Sequence, residues 1–109
     1  MGPGFDCLGL AVELRCRVEA TLGDDWVVTE LGKSFEPRPA DYVRRVVADA
    51  IGRPAHLRID NEVPRSRGLG SSAAVMAASA AAAIRATGRE PGSAELYQLV
   101  AAIEGHGDN

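Results

Sequence analysis

Residues 57–88 read LRIDNEVPRSRGLGSSAAVMAASAAAAIRATG, and three kinds of local structure meet in them. Leu57 and Ile59 alternate with Arg58 and Asp60, the two-residue period of a strand with one dry face and one wet face. The 61–64 segment, NEVP, carries turn chemistry and stops that strand. Gly68 and Gly70 break the pattern again, and from Ser71 or Ser72 alanine dominates as far as Ala86 or Thr87, where Gly88 supplies a stop. Alanine loses the least entropy in a helix and lets neighbouring backbones approach closely, so the run predicts a tightly packed helix. A strand, a glycine-rich turn and a helix start in succession gather backbone N–H groups and the positive end of a helix dipole at one place, which suits an anion.

Working outward, residues 11–20, AVELRCRVEA, set Val12, Leu14, Cys16 and Val18 against Glu13, Arg15, Arg17 and Glu19, the pattern of a half-buried strand. After a Gly23-Asp24-Asp25 turn, residues 26–31 read WVVTEL as another strand, and the short turn predicts antiparallel pairing with its predecessor. Val43, Val46, Val47, Ala50 and Ile51 recur at helical spacing between a Pro-rich 36–39 segment and Gly52, giving a helix of about twelve residues. Beyond Pro91 and Ser93, Leu96, Leu99, Val100 and Ile103 mark the buried stripe of a third helix, followed by the polar tail EGHGDN at 104–109. This order predicts an α+β sandwich with mostly antiparallel strands, not regular parallel βαβ units. Residues 1–10 are too rich in glycine and turn chemistry for a strand or helix and read as a loop entering the first strand.

Composition narrows the function. The chain has 109 residues, enough for one domain or a piece of one, and 12 Lys/Arg against 15 Asp/Glu leave a net charge of -3 with the basic residues scattered singly. No sustained positive field exists to hold nucleic acid or an anionic membrane. The longest nearly apolar run, 73–84, reaches only about half the length needed to span a bilayer. No signal-like core follows the N-terminus, and Asp6 stands where a myristoylation pattern from Gly2 requires Ser or Thr. Cys7 and Cys16 sit in no CxxC context and read as packed thiols of a reducing compartment.

The glycine-rich segment at 64–74, PRSRGLGSSAA, lacks the lysine of GxxxxGK[ST] and fails GxGxxG, so a nucleotide loop here belongs to another architecture. On the residues alone, Ser71 and Ser72 are either helix caps or hydroxyls for phosphate or magnesium. Asp6 is either a turn-capping carboxylate or a ligand, and Glu104 near a helix end is an ordinary solvated carboxylate unless it meets a metal. His106 reads as a structural hydrogen-bonding residue, and His56 has no evident catalytic company.

The same segment resembles the ATP loop of the GHMP kinase superfamily, PxxxGLGSSAA, position by position. The resemblance implies that ATP is held by Pro64, Arg65, Ser66, Arg67 and Gly68, and onward through Leu69, Gly70, Ser71, Ser72, Ala73 and Ala74. It makes Ser72 a ligand of Mg2+, while Arg65 and Arg67 add charge or face solvent. The opening GPGFDCLGLAV and the closing EGHGDN are similar to two further segments of the homoserine kinase branch. By that resemblance Asp6 and Asn109 bind the L-homoserine substrate, Glu104 joins Ser72 around magnesium, and His106 and Asp108 shape the closing loop without a general base. The implied fold is a partial GHMP kinase amino-terminal domain, a sandwich like ribosomal protein S5 domain 2. Residues 1–109 would be an incomplete ATP-binding domain whose carboxy-terminal GHMP domain is absent. The implied enzyme is a cytoplasmic homodimer phosphorylating homoserine in threonine biosynthesis. Another GHMP small-molecule kinase or a noncatalytic truncated domain stands as the alternative. The chain departs from the pattern in lacking the leading PxxSANL segment and in carrying Gly107 for the usual proline, which is expected to loosen that turn.

Overall fold

Cys16 and Val18 are buried while Arg17 and Glu19 face solvent, so the alternation read in the sequence is the alternation of the first strand. The structure, a computed structural model, describes residues 16–61 and 69–107, with side chains over 16–60 and 73–104. Strand β1 spans Cys16–Leu22, β2 Val27–Glu30, β3 Lys33–Phe35 and β4 Ala55–Asn61; helix α1 spans Tyr42–Ile51, α2 Leu69–Ala86 and α3 Ser93–Gly107. The strand expected from residue 11 is thus confirmed over 16–20, and its earlier half lies outside the described residues, as do 62–64 of the expected turn.

The four strands form one sheet in the order β1-β4-β2-β3. Two of the pairings, β1 with β4 and β2 with β3, are antiparallel, and β2 pairs with β4 in parallel. The mainly antiparallel α+β reading therefore holds, but the expected β1–β2 hairpin does not form. The loop between them is fastened to the start of β4 instead. Gly23 N–H donates to the Pro54 carbonyl at 3.4 Å, Arg53 Nη2 donates to the Gly23 carbonyl at 3.3 Å, and His56 Nε2 lies 2.8 Å from Asp25 Oδ1. The loop crosses the end of β4, and β4 takes the central place because Ala55, Leu57 and Ile59 are all buried. A parallel neighbour demands a long crossover, here supplied by the chain from β3 through α1.

Strand β3 was not anticipated. It follows β2 through Leu31 and Gly32, both at positive φ (52° and 77°), between the paired residues Glu30 and Lys33. Two consecutive positive φ values are the signature of a type I′ hairpin turn. Farther along, Arg44 closes the crossover: its Nη1 donates to the Pro37 carbonyl at 2.8 Å and its guanidinium lies 5.1 Å from the Trp26 ring centroid.

Helix α1 is shorter than expected by about one half-turn, and its limits are set by caps. Asp41 accepts the Val43 N–H at 2.8 Å, and Gly52, at φ 69°, sends its N–H to the Ala48 carbonyl at 2.9 Å. Val43, Val46 and Val47 are buried on one face. Helix α2 is different, since every residue from Val75 to Ile84 is buried. Sheet strands β1 and β4 pack on one side of it and helices α1 and α3 on others, which explains a sequence apolar all round.

Candidate functional site

Helix α2 begins at Leu69, two residues before the earliest expected start. Ser71 and Ser72 consequently lie inside its first turn and are not its N-cap, whereas Pro64, Arg65, Ser66, Arg67 and Gly68 lie outside the described residues. The backbone N–H groups at the start of a helix have no intrahelical acceptor until its fourth residue, and here the unpaired ones within the helix belong to Leu69, Gly70 and Ser71. No acidic residue occupies that first turn, so no carboxylate of the helix competes for its positive end. Gly70 is a poor helix former, up to about 1 kcal/mol worse than alanine in a helix interior, and it brings no Cβ to this turn. Ala73 and Ala74, next in line, are half-buried methyls that add no bulk.

The second segment is carried by α3. Leu96, Val100 and Ile103 form its buried stripe with Leu99 at the margin, as expected. A short connection such as 87–92 favours antiparallel neighbours, and α3 packs on α2. Rising at 1.5 Å per residue from that corner, Ser72 is about 21 Å along α2 and Glu104 about 17 Å along α3. Glu104 is exposed and lies one turn beyond Val100, at the rim of the packed stripe. The helix continues through Gly107, so Gly105, His106 and Gly107 belong to its last turn, where the sequence suggested a loop. Asp6, Asp108, Asn109 and Cys7 lie outside the described residues.

The donor set fits a hard cation. Ser72 and Glu104 offer oxygen, the ligand magnesium prefers, and two protein oxygens beside phosphate and water are its usual share. Among the described residues no cluster of three or more His, Cys, Asp or Glu side chains exists that would form a metal cage by itself. No helix of the described residues is long and apolar enough to cross a membrane.

Besides β3, two further features escaped the sequence reading. His56 does have company in Asp25, but it sits about 16 Å down β4 from Asn61, at the end away from the glycine-rich segment. An open cavity of about 230 Å³ lies between the β2–β3 turn and β4, lined by Thr29, Leu31, Gly32, Arg58, Ile59 and Asp60. None of the expected site residues with a described side chain lines it.

Comparison with known proteins decides the family. A family model of the GHMP kinases N-terminal domain matches residues 40–109, more than half of the chain and all three helices of the described residues. The chain belongs to the GHMP kinase N-terminal domain family. A homoserine kinase of Deinococcus radiodurans is 40% identical over 118 residues, covering 100% of this chain and 38% of that protein. A Listeria monocytogenes structure, provisionally assigned as a homoserine kinase, superimposes with a TM-score of 0.65 at 27% identity, covering 95% of this chain and 39% of that one. Streptococcus pneumoniae phosphomevalonate kinase, solved with phosphomevalonate and AMPPNP, shares the fold at a TM-score of 0.64 and 20% identity over 84% of this chain and 33% of its own. The GHMP chain described here spans about 40% of the length of the curated relatives it matches.

Proposed function

We propose that this chain is the amino-terminal, ATP-binding part of an enzyme that transfers the γ-phosphoryl group of ATP to the side-chain hydroxyl of L-homoserine. The products are O-phospho-L-homoserine and ADP, and the reaction serves threonine biosynthesis. The observation that carries this reading is that homoserine kinases match the chain over its whole length, GPGFD and EGHGDN ends included. The resemblance of residues 64–74 to an ATP loop, delivered into a helix whose first turn carries no acid, supports the nucleotide half.

In this reading the glycine-rich segment and the free N–H groups of α2 bind the phosphates, with Ser72 and Glu104 holding magnesium. Bound there, the ion would neutralise charge on the phosphate oxygens. Asp6 and Asn109 orient the acceptor so that its hydroxyl oxygen bonds to the γ-phosphorus as the bond to the bridging oxygen breaks; ADP leaves, and the hydroxyl proton passes to solvent. No residue is assigned as a general base, because alignment and charge compensation supply most of the rate in phosphoryl transfer. The remaining GHMP domain, a cytoplasmic setting and a homodimeric assembly complete the proposal.

The test is a competition assay on the full-length polypeptide with magnesium-ATP and homoserine, mevalonate or galactose, phosphohomoserine being measured directly. Homoserine is expected to lead in kcat/KM by at least about a hundredfold, the discrimination that buried polar partners provide. A higher efficiency with either competitor overturns the acceptor. The 109-residue chain alone is expected to turn over far more slowly, since a misplacement of about 1 Å can already cost a hundredfold.

A further inference from the structure

Helices α2 and α3 are capped by backbone geometry at the corner where they meet. Helix α2 ends in a Schellman motif: Gly88, at φ 92°, donates its N–H to the Arg85 carbonyl at 2.9 Å, and Arg89 donates its N–H to the Ile84 carbonyl at 3.4 Å. Helix α3 starts with half of a capping box, the Gly92 N–H donating to Glu95 Oε1 at 3.4 Å. Two side-chain pairs brace this corner: Arg85 Nε and Nη2 donate to Glu90 Oε2 at 3.2 and 2.9 Å within the connection, and Arg89 and Glu95 link the two caps themselves. Arg89 Nη1 donates to Glu95 Oε1 at 3.0 Å and Arg89 Nη2 to Glu95 Oε2 at 2.8 Å, a planar fork on a carboxylate. The Arg89 hydrogen bonds hold the Glu95 carboxyl below its ordinary range, and the same contact raises Arg89.

Packing along α2 gives little axial guidance by comparison. Residues 77–83 are all alanine or serine, so over two turns any face of α2 is shallow, with low ridges for the side chains of α3 to seat between. Leu96, Val100 and Ile103 hold α3 against its neighbours through apolar burial, which is not directional. A directional, bidentate bond between two capped termini supplies that guidance.

We propose that the Arg89–Glu95 fork sets the position of α3 along α2 and thereby acts as a positioning pair for Glu104 at the far end of α3. The link to Glu104 rests on the magnesium role given above; the link to α3 does not. Spin labels on Ala48→Cys in α1 and Ala101→Cys in α3, both exposed sites, read that position by pulsed dipolar spectroscopy in the full-length protein with other reactive cysteines removed. Arg89→Ala and Glu95→Gln are each expected to shift or broaden the distance distribution by about 1–2 Å, the size of ordinary helix shifts. Arg89→Lys keeps the charge but loses the fork and should fall between them and wild type. The concentration of magnesium for half-maximal activity should rise several-fold in the two disruptive variants, with thermal unfolding showing that both remain folded. An unchanged distance distribution in the folded variants overturns the proposal. A shifted distribution with unchanged magnesium dependence overturns its extension to Glu104. A wild-type enzyme that does not phosphorylate homoserine refutes the proposed function, yet the distance measurement still decides the fork.

Discussion

Ser79 sits at the centre of α2 with zero exposure, and its Oγ has no hydrogen-bond partner among the described residues. A buried hydroxyl left unpaired forfeits its hydration without return, a cost of about 1–3 kcal/mol. Ser79→Ala removes the hydroxyl, adds no volume and improves helix propensity. We therefore expect it to raise unfolding free energy by about 1 kcal/mol, measured by urea denaturation with an unchanged m-value. A loss of stability would mean that the hydroxyl is satisfied in solution. Individual residues were legible in the sequence where their partners are local. Gly52 and Gly88 ending helices and the exposed Arg17 and Glu19 all act within a few positions of themselves, and Asp41, which caps α1 just as locally, was not singled out. His56 and Asp25 meet across 31 positions, and nothing in the local pattern joins them.

Among the elements, α1 and α3 were readable because a period of 3.6 repeats along them and α2 because its alanine run favours helix, whereas β3 has three residues and no period at all. Its signal was the turn, and the turn disguised itself. Type I′ turns favour Asn-Gly, but here the first position is Leu31, held at φ 52° and 90% exposed. A left-handed conformation costs a side chain with a branched or bulky body about 1 kcal/mol, and exposure returns no burial energy for it. Leu31→Asn should accordingly stabilise the β2–β3 hairpin by about 0.5–1 kcal/mol, visible as a higher Tm and slower amide exchange in β3. Unchanged or lower stability would show that the leucine packs on something the turn alone does not reveal. The start of α2 was misplaced for a related reason, since Gly70 reads as loop yet lies in a helical turn.

The whole molecule adds what no window of sequence contains, namely which strands are neighbours and which distant ends converge. The sheet order β1-β4-β2-β3 depends on β4 inserting between strands joined by a short loop, a choice made by the burial of Ala55, Leu57 and Ile59 and by the anchoring of Gly23 and Asp25 near the start of β4. The outer face of that sheet pairs Arg17 with Asp60 and Glu19 with Arg58 in register, so its charges balance and it stays wet. On the helical side, α2 and α3 would carry Ser72 and Glu104 to similar heights above their shared corner, though the two are 32 positions apart in sequence. If both serve one magnesium ion in the full-length enzyme, removing either should disable the same interaction. Ser72→Ala and Glu104→Gln are expected to lower kcat and to raise the magnesium requirement while leaving Tm within a few degrees of wild type, because Glu104 is exposed. The double variant should lose little more than the worse single one, since two groups holding one ion are not independent. Kinetics across magnesium concentrations, with thermal unfolding on the same samples, give all four corners of this cycle. Losses that simply add, or single variants with wild-type magnesium dependence, would separate the two residues and return Ser72 to a helix-start residue and Glu104 to a solvated carboxylate.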